Sequence, residues 1–211
     1  MHIKWIQSAD LTQENIAQAL EGCHGVLVPG GFGQRGLEGK MIAVQYAREH
    51  NIPFLGICLG MQMAVIEYAR HVLGLRGANT SEMDPNTTYP VIDLMPDQNL
   101  DNLGHTMRLG KYRCALLPGT RSYKAYGTEE IEERHRHRYE FNNEFLKRFM
   151  DGGMTIAGRN PERNLVEIVE IPTHPWFVGV QFHPELKSRP NRPHPLFRDF
   201  VGAALEHGRE Q

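Results

Sequence analysis

One cysteine stands in a setting that could make it a nucleophile. Residues Phe54-Leu55-Gly56-Ile57-Cys58-Leu59-Gly60-Met61-Gln62 read as an apolar strand, a glycine-framed turn and the start of a helix, with the thiol in a G-x-C-x-G frame. With serine in place of cysteine this pattern makes the nucleophile elbow of α/β hydrolases. So sharp a turn strains the backbone of the nucleophile, and glycines at 56 and 60 remove side chains that would clash. The sulfur sits at a helix N-terminus, where the dipole and unpaired N–H groups favour negative charge. The Leu59 N–H points to where an oxyanion would form. A buried structural role is the alternative for any cysteine. It is the expectation for Cys23 and Cys114, which lack the frame.

A thiol nucleophile needs a base, and the base needs a partner that fixes its tautomer. Eleven histidines compete for the role. His50 and His71 fall near expected helix C-termini, where an imidazolium complements the dipole, and His207 lies in a polar tail. His183 differs, because it follows the apolar run Trp176-Phe177-Val178-Gly179-Val180-Gln181-Phe182. Sites in open parallel sheets collect just past such strand ends. Pro184 stiffens the turn, and Glu185 can fold back onto the imidazole.

The elements that must position these residues alternate in the first half. Helices are expected over 10–20, 39–50 and 60–73, and buried strands over 25–28 and 54–57. Strand and helix in alternation with short joins imply βαβ units, hence an α/β fold with a mostly parallel open sheet and helices on both faces. Strands are expected over 90–94, 106–117, 154–158, 165–171 and 176–182. Helices are expected over 142–150 and 195–207, and loops over 74–89 and 97–104. No repeat, low-complexity tract or linker interrupts the 211 residues, which suit one domain.

Taken together, GICLGMQ at 56–62 and VQFHPE at 180–185 resemble the signature pair of class I (triad-type) glutamine amidotransferases. The resemblance implies Cys58, His183 and Glu185 as a Cys-His-Glu triad. VPGGFG at 28–33 resembles the family's oxyanion loop, with the N–H groups of Gly31 and Leu59 as the oxyanion hole. Within the family, GGFGQRGLEGK at 30–40, LGHTMRLG at 103–110, ERHRHRYEFNN at 133–143, HPWFVGVQFHPE at 174–185 and RPHPLF at 192–197 look like the glutaminase domains of CTP synthases. This implies Arg138 on the α-carboxylate of L-glutamine, Glu82 on its α-amino group and Gln62 as a further contact. A guanidinium suits a carboxylate because it offers two parallel donors. Arg35, Gly36 and Glu38 resemble a GTP-effector region, and 97–106 resembles a short form of a flexible lid.

The implied reaction is hydrolysis of glutamine through a thioester, supplying ammonia for ATP-dependent amination of UTP to CTP. No P-loop is present, so ATP, Mg²⁺ and the GTP effector are expected only with a synthetase domain, and no cofactor or metal in this chain. The chain looks N-terminally truncated for the family, lacking a first strand and helix. The expected partners are L-glutamine and a synthetase domain or chain, with oligomerisation through that domain. Net charge of −2 excludes general nucleic-acid binding, and no run is long and apolar enough for a membrane span. The three scattered cysteines fit a reducing cytoplasm. Alternatives are a stand-alone thiol hydrolase of the same fold acting on glutamine or γ-glutamyl compounds, or a truncated non-catalytic interaction module. Arg134, His135, Arg136, His137 and Arg138 also read as a solvated strand face.

Overall fold

Short apolar runs form the central strands, and alternating polar and apolar runs the outer ones: β1 (Val26–Val28), β2 (Phe54–Ile57), β3 (Ala78–Thr80), β4 (Tyr89–Leu94) and β5 (Arg108–Leu116). They continue as β6 (Glu130–His137), β7 (Tyr139–Phe141), β8 (Thr155–Arg159), β9 (Val166–Glu170) and β10 (Phe177–Val180). The helices are α1 (Ile16–Ala19), α2 (Leu37–Glu49), α3 (Leu59–His71), α4 (Arg121–Tyr126), α5 (Leu146–Asp151) and α6 (Pro195–Glu210). The structure is a computed structural model and describes residues 1–94 and 107–210. The expected loop at 97–104 and the lid at 97–106 lie outside the described residues.

Among the described residues, seven strands form one sheet in the order β1-β2-β10-β9-β8-β5-β6, and three form a small sheet, β3-β4-β7. In the large sheet only β1–β2 and β2–β10 pair in parallel; the other four pairs are antiparallel. The sheet is therefore mixed rather than mostly parallel. The reason is connection length: parallel neighbours need a long crossover, whereas the short links between β8, β9 and β10 impose reversal. Helices do cover both faces. Phe54 and Phe177 pack with α2 and α3 on one side, while Leu55, Ile57, Val178 and Val180 pack with α4 and α6 on the other. The period-two alternation of the strands thus divides the core into two layers.

Helix α3 is buried from Leu59 to Ala69, since it is wedged between α2, the large sheet and the small sheet. Even Glu67 is fully buried, held by Arg48 at 2.6 Å. The expected helix over 10–20 shrinks to Ile16–Ala19. Asn15 is the cause: its side chain takes the Thr12 N–H at 2.9 Å and donates to Asp10 O at 2.8 Å, replacing helical bonds with a turn. The expected loop at 74–89 contains β3. No described helix is long and apolar enough to cross a membrane.

Candidate active site

The turn between β2 and α3 is as tight as the glycines demand. Cys58 occupies the N-cap of α3 with φ 51° and ψ −106°, outside the regions that side-chain-bearing residues favour. A Cβ on Gly60 would lie 2.0 Å from the Val28 carbonyl oxygen, and one on Gly56 would lie 2.8 Å from the Gly60 backbone. Only glycine lets α3 start this close to β1 and β2. The Cys58 N–H is held by Val180 O at 2.7 Å, which ties the elbow to β10.

That tie explains why His183 arrives here. β2 and β10 are hydrogen-bonded parallel neighbours with Ile57 opposite Val180, so both chains leave the sheet at the same edge. One delivers Cys58 and the other His183. Arg134 O on β6 takes the His183 N–H at 2.8 Å, fixing the loop. A Cβ on Gly30 would lie 2.9 Å from His183 Cε1 and 3.4 Å from Cys58 Cβ, so the imidazole and the thiol-bearing carbon flank the same point. His183 Nδ1 and Glu185 Oε1 are 2.6 Å apart. The other ring nitrogen, Nε2, is buried and has no hydrogen-bond partner of good geometry among the described residues. Cys58 beside it and then Glu185 raise the His183 pKa to about 10, against the pull of burial. Burial works to raise the Glu185 pKa, but the bond to His183 outweighs it and the carboxyl stays below its ordinary range.

Gly31, Cys58, Leu59, Gln62, Glu82 and Arg138 all line one cleft, with His137 and Tyr139. The structure thus gathers every residue expected to touch substrate. The N–H groups of Gly31 and Leu59 donate to no backbone carbonyl among the described residues. Glu82 has a raised pKa because burial dominates, partly offset by Arg138. The cleft is therefore lined by one acidic side chain and one guanidinium. Arg35, Gly36 and Glu38 lie at the start of α2; Gly36 and Glu38 border a different cavity with Ser8, Met41, Met63 and Asn79. Glu38 pairs there with Arg70 at 3.3 Å.

Behind the cleft lies a cluster that sequence reasoning missed. On β6 the side chains alternate, with Arg134 and Arg136 exposed but Glu133, His135 and His137 buried. The block is a solvated face on one side only. Arg108 is 1% exposed and donates to Glu140 Oε1 at 3.0 Å and Glu167 Oε1 at 2.7 Å. His137 Nε2 lies 2.8 Å from Glu140 Oε1. Burial would raise Glu140, but His137 and Arg108 together hold it below the ordinary carboxylate range. Burial pushes Glu167 up to about 8 despite Arg108, and the charge of Glu140 adds to the rise. His135 is driven down by burial first and by the neighbouring cations, so it stays neutral. The signal was period-two alternation of histidine with arginine, which a two-sided strand requires.

Comparison with known proteins gives the family and the fold. The family model for glutamine amidotransferase class-I matches residues 1–203. The chain belongs to that family. Within it, the chain is of the CTP synthase glutaminase type. It is 63% identical to a CTP synthase of Clostridium acetobutylicum and 57% identical to that of Bacillus subtilis, each over 97% of this chain and 38% of the relative. The chain thus spans well under half the length of these relatives. Among solved structures it superposes on the glutaminase domain of Trypanosoma brucei CTPS with bound acivicin at a TM-score of 0.92 and 38% identity, covering 97% of this chain and 81% of that one. A glutamine amidotransferase from Thermotoga maritima shares the fold, at a TM-score of 0.51 and 17% identity, covering 88% of this chain and 78% of that one.

Proposed function

We propose that this amidotransferase domain hydrolyses L-glutamine at Cys58 and supplies ammonia to a synthetase domain that converts UTP to CTP with ATP. The observation that carries the reading is the meeting of Cys58 and His183 at the ends of adjacent parallel strands, with Glu185 bonded to the far ring nitrogen.

The Cys58 thiolate attacks the side-chain amide carbon, and the oxyanion forms between the Gly31 and Leu59 N–H groups. His183, protonated and aligned by Glu185, gives its proton to the departing ammonia. Water then adds to the γ-glutamyl thioester with His183 taking its proton; glutamate leaves and the thiolate returns. Arg138 holds the α-carboxylate and Glu82 with Gln62 holds the α-amino group, which favours free glutamine over a peptide side chain. A GTP effector acting near Arg35, Gly36 and Glu38, oligomerisation through the synthetase domain and a cytoplasmic setting complete the proposal. ATP and Mg²⁺ belong to that partner domain.

Labelling with an electrophilic glutamine analogue tests it. The expected result is one label, on Cys58, that is absent from Cys58→Ala and slowed in Arg138→Lys. Labelling of Cys58→Ala to the same extent would refute the assignment.

A further inference from the structure

Strand β10 leads not only to His183 but to Gln181, a fully buried polar side chain. Its N–H is tied to Glu167 O at 2.9 Å, which fixes the residue in place. From there its side chain joins a line of amides. Gln62 Nε2 donates to Tyr139 O at 3.0 Å and to Gln181 Oε1 at 3.2 Å. Gln181 Nε2 donates in turn to Cys58 Sγ at 3.7 Å.

The polarity of this line is set from its far end. A backbone carbonyl can only accept, so Tyr139 O draws the Gln62 NH₂ group toward itself. The second hydrogen of that group then meets Gln181, which must present its oxygen. The Gln181 NH₂ group is left facing the sulfur. Reversing either amide would set two acceptors or two donors against each other, which is costly where water is excluded. The same constraint leaves the Gln62 carbonyl for the cleft, suited to an α-amino cation.

We infer that Gln181 is a catalytic residue of this site, its amide N–H holding negative charge on the Cys58 sulfur. The inference rests on Cys58 as the nucleophile. No bond to Gln181 forms or breaks. Attack carries charge from the sulfur to the oxyanion, and breakdown of the thioester returns it, so the donor serves the sulfur both as nucleophile and as leaving group.

The test is the rate of Cys58 alkylation by iodoacetamide in the 211-residue chain, mapped by mass spectrometry to separate Cys23 and Cys114. It compares wild type with Gln181→Glu, which turns an acceptor to the sulfur, and Gln181→Met, which keeps bulk without a donor. Loss of a charge-assisted hydrogen bond predicts alkylation about tenfold slower near neutral pH in both variants. At about pH 10, where a thiol ionises without help, the rates should match wild type. Equal rates at neutral pH overturn the inference, and so does equal slowing at both pH values, which would mean a packing role. If wild-type Cys58 itself proves unreactive, the nucleophile assignment fails first. Two chemically opposite variants guard against one that does not fold.

Discussion

Replacing Cys58 separately with glycine and with alanine should invert the usual stability order. Both changes remove the thiol and its burial, and both abolish turnover, so they differ only in the Cβ. Cys58 sits at φ 51° and ψ −106°. Backbone strain of this kind is worth about 1–3 kcal/mol for a residue with a Cβ. Alanine keeps that strain and glycine releases it. Against the release stands the greater freedom of glycine in the unfolded chain, about 0.5–1 kcal/mol. From the middle of each range, the net expectation is that Cys58→Gly is the more stable by about 1 kcal/mol. For a domain of this size, each kcal/mol moves Tm by about 2–4 °C. Thermal melts and urea midpoints on matched samples measure the difference. At an unstrained position alanine would win, so an alanine variant as stable as the glycine variant or more so would show that the elbow stores no strain.

Three further outcomes follow from the same geometry. His183 has a folded pKa of about 10 against an ordinary 6.5, so the stability it contributes is complete below about 6.5 and drains as pH rises toward 10. The Tm advantage of wild type over His183→Gln should shrink across that window, and a flat difference would contradict the ion pair. Gly30→Ala places a Cβ 2.9 Å from His183 Cε1, so the imidazole must shift; kcat for glutamine hydrolysis should fall roughly 10–100-fold, with a small drop in Tm. Arg108→Met leaves Glu140 and Glu167 buried without their shared cation, and urea unfolding should show a loss of about 3–5 kcal/mol.

The meeting of Cys58, His183 and Glu185 was legible because its signals are local. Glycines frame Cys58, and an apolar strand runs straight into His183, Pro184 and Glu185. The cleft residues Glu82 and Arg138 came only through resemblance, since neither has a local pattern that marks a substrate contact. Gln181 and Arg108 escaped for a different reason. Their meaning lies in partners far along the chain, 123 residues away for Gln181 and Cys58 and 59 for Arg108 and Glu167. Strand direction was misjudged where a period of two carries no information about the partner's polarity, although the short links around β9 did carry it. Residues 10–20 misled through their apolar spacing, because one side-chain amide at Asn15 outcompeted the helix.

The pairing of β2 with β10 also orders events in time. Ribosomal synthesis completes the elbow long before the strand that brings Gln181 and His183, and closing so long a loop is slow compared with forming α3. Until β10 inserts between β2 and β9, Cys58 has neither its base nor its amide donor. On the proposed mechanism, Cys58 therefore gains its partners only when the middle of the sheet is sealed. Alkylation of Cys58 would serve as a clock for that last step of folding.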